Sequence, residues 1–166
     1  MDKQQKTILI IFGAILLVAL IVMLVVIFGR EREIHIIEFI APEFDTSAIA
    51  GLPENIDETL GYGEVDVNGN YKFSMYGMPV IENGELVLYF TSSPENEVLL
   101  LAKIYNVRGD EIGKSGLIRP GEYVETIKLT DPTFSDDEVK LKILSYEPDT
   151  YYSRGVASSR LIITKD

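Results

Sequence analysis

Residues 78–104, MPVIENGELVLYFTSSPENEVLLLAKI, decide the fold. Asn83-Gly84 stands between two apolar runs, Met78–Ile81 and Glu85–Thr91. Asn-Gly in that setting is the strongest short signal of a β-hairpin, because both central residues of the tight turn take positive φ. Leu86, Leu88 and Phe90 alternate with Val87, Tyr89 and Thr91. Beyond the loop Ser92-Ser93-Pro94-Glu95-Asn96, the residues Val98, Leu100, Ala102 and Ile104 make one apolar face. A period of two turns one face of a strand to a core and the other to water.

The same period runs outward from this stretch. Tyr71, Phe73 and Met75 alternate before it, Val139, Leu141 and Ile143 after it, and Leu161 and Ile163 close the chain. Turn residues separate the runs: Arg108-Gly109-Asp110, Pro120-Gly121 with the pattern of a type II turn, Thr130-Asp131-Pro132, and Pro148-Asp149. Tyr123–Leu129 would place Glu125 on the face of Ile127 and Leu129, so a bulge is expected near the start of that strand. Seven or eight strands at such spacing predict a mainly β fold, an antiparallel β-sandwich of Ig-like or fibronectin-like architecture.

The run Leu99–Leu129, LLLAKIYNVRGDEIGKSGLIRPGEYVETIKL, resembles the central strands of small bacterial extracytoplasmic β-sandwich modules. The shared features are a long strand, a Gly-containing hairpin (NVRGDEIG) and a Pro-Gly-Glu turn (RPGEY) leading into another strand. Such modules occur as single-pass, membrane-anchored proteins of Gram-positive bacteria. The resemblance implies a sandwich with an interaction role and no active site.

The N-terminal side is organised by Ile8–Phe28, 21 residues without charge, Pro or polar side chain. As a helix it would be about 31 Å long, close to the hydrocarbon thickness of a bilayer. A helix satisfies its own backbone in lipid. One N-terminal transmembrane α-helix is therefore expected, with the lipid bilayer as its partner. The run exceeds a signal-peptide h-region and no small-x-small site follows closely, which reads as an uncleaved signal anchor. Lys3 and Lys6 before it and Arg30 and Arg32 after it nearly balance. A short tail with a large following domain favours the N-terminus inside and the C-terminal domain outside the cell membrane. The expected organisation is a cytoplasmic tail at 1–7, the helix at 8–28, a juxtamembrane connector or stalk at 29–63 and the β-sandwich at 64–166. Within the connector, Glu43–Tyr62 reads as an irregular stretch packed on the domain, with a helical turn at Ile56–Leu60.

The part from Arg30 onward carries 13 basic and 25 acidic residues, a net −12. Such a balance is repelled by nucleic acid and by anionic headgroups. Cysteine is absent, which removes disulfides, thiolate metal sites and lipidated cysteine. No phosphate loop, nucleophile elbow or zinc spacing appears, so no enzyme and no cofactor are expected.

Four groups could carry chemistry. Asp131, Asp136, Asp137 and Glu138 are candidates for calcium, which takes six to eight oxygen ligands, and Asp66–Asn70 has a similar look without the distal Glu of an EF-hand loop. Arg108, Gly109 and Asp110 spell an adhesion motif, although Gly109 is also what a hairpin turn needs. His35 is the single histidine and has no partner for a triad or a His-metal cluster. Tyr105, Tyr123, Tyr146, Tyr151 and Tyr152 suit protein or glycan contacts. The function expected is a membrane-anchored, extracytoplasmic, non-catalytic binding or structural module, an accessory subunit of a bacterial cell-envelope assembly that contacts other envelope proteins. The alternatives are a ligand-binding or adhesive ectodomain recognising glycan, host protein or calcium, and a pilin-like subunit. Lys6-Thr7 before Ile8 and an apolar run without Glu depart from the pilin pattern.

Overall fold

The computed structural model describes residues 2–28 and 40–164. They divide into two compact units, Met1–Phe39 and Ile40–Asp166. In the first unit, α1 spans Lys3–Phe28. From Ile8 onward its sequence is apolar on every side, so that part has no polar face to turn to water. Within α1, side chains are described at Gln4, Gln5 and from Phe12 to Leu24, and all of these are exposed. Among the described residues no helix is long and apolar enough to cross a membrane. Phe12–Leu24 alone is shorter than the roughly 20 residues a span needs.

The second unit contains ten strands: β1 (Ile49–Ala50), β2 (Tyr62–Val67), β3 (Tyr71–Tyr76), β4 (Val80–Glu82), β5 (Glu85–Ser92), β6 (Leu99–Tyr105), β7 (Glu111–Lys114), β8 (Glu122–Lys128), β9 (Glu138–Tyr146) and β10 (Ser153–Ile162). One sheet has the order β1-β8-β5-β3-β2, with β4 beside β5; the other has the order β10-β9-β6-β7. Every strand pairing is antiparallel. Alternate residues of both sheets meet in one core: Phe73, Leu86, Leu88, Phe90 and Val124 from the first, Leu100, Ile104, Leu141, Ile143 and Leu161 from the second. The fold is mainly β, and two antiparallel sheets on one core are consistent with a sandwich.

Ten strands are present where the periodicity predicted seven or eight. The difference has two sources. Asn68 and Gly69, with φ of 51° and 71°, make a tight turn that splits β2 from β3. A two-residue strand, β1, also forms inside the stretch read as irregular. That stretch is tied down by backbone pairing. Phe44 bridges Leu117 in parallel, Leu117 N–H donates to Glu43 O at 2.8 Å, and Ile49 then pairs with Tyr123. Leu117 and Ile118 adjoin β6 through the Leu100–Ile118 bridge. Residues 43–50 thus pass from the edge of one sheet to the edge of the other. The helical turn expected near residues 56–60 is a 3-10 turn, Glu58–Leu60, capped by the Asp57 carboxylate accepting Thr59 N–H.

The expected turns form. Asn83 and Gly84 take φ of 51° and 79° between β4 and β5. Gly121 takes φ 74° after Pro120, and Glu122 N–H closes the turn onto Arg119 O at 3.1 Å. The bulge predicted near Glu125 lies on the partner strand. Between the pairs Val87–Thr126 and Phe90–Val124, β5 has two residues, Leu88 and Tyr89, where β8 has one, Glu125. Tyr89 absorbs the extra residue with φ 50°, and Glu125 faces solvent instead of the core.

Candidate functional site

The most open feature of the second unit is β10. It is the outermost strand of its sheet, paired only with β9. One end is marked by a register shift between Ser153 and Gly155. The other end is closed where Thr164 N–H donates to Pro79 O at 2.8 Å. Between them about eight residues, roughly 25 Å of strand, present backbone donors and acceptors on their outer side. The strand carries Arg154 and Arg160 and no acidic residue. Its Val156 and Ile162 are 54% and 67% exposed. The edge strand of the other sheet, β2, is shorter and carries Glu64 and Asp66.

A second feature is a row of tyrosines on the outer face of the first sheet. Tyr62, Tyr76, Tyr89 and Tyr123 stand on β2, β3, β5 and β8, with successive ring centroids 6.0, 5.2 and 6.4 Å apart. Tyr76 is covered by the 3-10 segment, whose Asp57 N–H donates to the Tyr76 hydroxyl at 2.9 Å. The Tyr62 hydroxyl donates to Thr91 Oγ1 at 2.8 Å. Burial, and secondarily the Glu125 carboxylate, push the Tyr89 phenol up from its ordinary value. Beside the row lies a groove of about 500 Å³ lined by Leu52, Pro53, Tyr62, Ser74, Thr91 and Pro94, among others.

The residues singled out from sequence are placed as follows. The Asp131 carboxylate is engaged locally, accepting Thr133 N–H at 2.8 Å and Thr133 Oγ1–H at 2.6 Å, and the hydroxyl bond holds its pKa below the usual range. Glu138 lies 3.6 Å from Arg160. Asp136 and Asp137 are exposed. Among the described residues, no three or more His, Cys, Asp or Glu gather to hold a metal. Asp66 accepts Gly69 N–H at 2.7 Å, which makes that loop a hairpin turn. At Arg108-Gly109-Asp110 the buried Asn106 is the hub. Its Oδ1 accepts the N–H groups of Arg108 and Asp110, and its Nδ2 donates to Asp110 Oδ2 at 2.9 Å. Arg108 Nε and Asp110 Oδ2 face each other at 3.5 Å. His35 lies outside the described residues.

Of the tyrosines named from sequence, only Tyr123 belongs to the row. Tyr146 and Tyr151 pack on a small cluster of Leu99, Leu101 and Leu117, Tyr105 sits under the Lys142 ammonium at 4.6 Å, and Tyr152 is 73% exposed. Tyr62, Tyr76 and Tyr89 were missed because their adjacency depends on strand register. No protein-family model, curated protein or solved structure matches the chain.

Proposed function

We propose that the chain is a membrane-anchored, extracytoplasmic, non-catalytic module with an Ig-like sandwich, serving as an accessory subunit of a bacterial cell-envelope assembly. The observation that carries this reading is the free edge of β10. An exposed strand edge of that length is a template for a strand from another chain. The sandwich reading is supported by two antiparallel sheets, of six and four strands, closing on one core. The anchor is supported by the sequence of Ile8–Phe28. A second reading, a ligand-binding ectodomain, is favoured by the groove beside Tyr62.

Gentle crosslinking of the full-length protein in cells, purification from detergent and mass spectrometry separate the two. Stoichiometric envelope proteins in the eluate support the assembly subunit. Recovery of the protein alone overturns it in favour of the ligand reader.

A further inference from the structure

The charge of the second unit is sorted by face. Residues 40–164 include ten Lys and Arg against 21 Asp and Glu. Five of the ten basic residues lie on the outer face of the second sheet: Lys103, Lys114, Lys140, Lys142 and Arg160. Lys114 on β7 is opposite Lys103 on β6, Lys103 is opposite Lys142 on β9, and Lys140 is opposite Arg160 on β10. Two acidic residues share the face, Glu111 at 2.8 Å from Lys103 and Glu138 at 3.6 Å from Arg160. Glu43 lies at its rim, in the groove it lines with Lys114.

Like charges directly opposite one another destabilise a sheet. In a domain with twice as many acids as bases, three such cationic pairs on one face cost stability that a mixed face would avoid. What the arrangement yields is a face on which cations outnumber acids by five to two, beside the apolar patch of Leu99, Leu101, Leu144 and Tyr146. We propose that this face docks on an anionic lipid bilayer. The proposal rests on the membrane-anchored reading, which keeps the domain at high local concentration near lipid.

Three observations favour a lipid surface over a linear polyanion or an acidic protein. The cations spread in two dimensions across four strands, which matches a plane of headgroups. Two grooves that Lys114 lines, one with Leu101 and Ser115 and one with Glu111 and Lys128, lie at the β7 edge and not along the rows of lysines. The exposed Val156, opposite Leu144, and Ile162, opposite Glu138, point to the same side, where they can enter the headgroup layer. Acids on the outer side of the first sheet, such as Glu64 and Glu125, lie roughly 20 Å away, since sheets stack about 10 Å apart, which is beyond a Debye length of about 8 Å. Asp110, Asp137 and Glu147 stand nearer, at the ends of β7 and β9.

Among the described residues there is no cysteine, and the sequence holds none, so Ser158→Cys supplies a single labelling site, opposite Lys142. The full-length variant, carrying an environment-sensitive fluorophore, is reconstituted in pure phosphatidylcholine vesicles and in vesicles of about one-third phosphatidylglycerol. The emission is expected to shift blue only in the anionic vesicles. The shift should be reversed by about 0.5 M salt, where screening falls to about 4 Å. A Lys114→Gln, Lys140→Gln, Lys142→Gln triple variant should lose it, and the Lys→Arg triple variant should keep it. Identical emission in both vesicles, an unchanged Gln variant, or free polyphosphate competing at equal charge would each overturn the proposal. Flotation with the neutral vesicles reports anchoring by itself, so failure of the anchor and failure of the docking face are read separately.

Discussion

The Asp45 carboxylate accepts the Gly116 N–H at 2.7 Å, and the two backbones run so close that a methyl group on Gly116 would overlap Asp45 N and Cα and lie 2.7 Å from the Phe44 carbonyl carbon. This contact fixes the segment that crosses between the sheets. Asp45 Oδ1 also accepts Ser47 N–H at 2.9 Å, so both carboxylate oxygens are used.

Gly116→Ala is therefore expected to lower stability by about 1–3 kcal/mol, the usual cost of overpacking against rigid neighbours. Urea unfolding of the full chain in detergent, followed by near-UV circular dichroism of the tyrosines, checks this. A midpoint equal to wild type would mean that the crossing segment gives way freely.

Lys140→Glu should stabilise the protein. It converts the Lys140–Arg160 pair of like charges into an opposite pair across β9 and β10. The gain expected is about 0.2–1 kcal/mol, read as a rise in the unfolding midpoint. A lower midpoint would show that cross-strand repulsion on this face carries no cost.

The Lys103–Glu111 pair should shape the pH dependence. Its hydrogen bond holds the Glu111 pKa below the ordinary 4.5 and raises that of Lys103 above 10.5. A depressed carboxylate contributes stability above its unfolded pKa and loses it as pH falls through the folded one. A raised amine contributes below its unfolded pKa and loses it as pH rises through the folded one. Glu111→Gln should flatten the acid limb below about pH 4.5 and the alkaline limb above about 10.5. Both side chains are about a third exposed, so the effect will be modest. Unfolding curves measured across pH for both proteins give the comparison, and unchanged limbs would remove the pair from the ledger.

Val156→Lys with Ile162→Lys should abolish partner capture at β10 while leaving stability within about 0.5 kcal/mol, since both side chains are exposed. Pull-down of the crosslinked assembly is the readout. Retained capture by a normally folded variant would move the contact away from this strand.

Much of the β domain could be read from period and turn chemistry. The faces Leu86-Leu88-Phe90, Val98-Leu100-Ala102-Ile104 and Val139-Leu141-Ile143 are all buried, and Asn83-Gly84 and Pro120-Gly121 turn as expected. Glu125 misled the strand reading because the extra residue sits on β5, at Tyr89, a strand whose own alternation is unbroken. The tyrosine row and the basic face were not legible for a related reason. Lys103 and Lys142 become neighbours only through the register of β6 with β9, and Tyr76 and Tyr89 only through the packing of strands separated by a hairpin. A net charge of −12 from Arg30 onward does not record which face its members occupy.

The most direct test of the envelope-subunit reading places a photo-crosslinking residue at Ser159, on the free edge, and at Glu97, in an exposed loop, in the full-length protein expressed in cells. The expected result is one discrete envelope-protein adduct from position 159 and none from 97. No adduct from 159, or the same adducts from both positions, would contradict a partner strand at β10 and leave the groove beside Tyr62 as the better candidate.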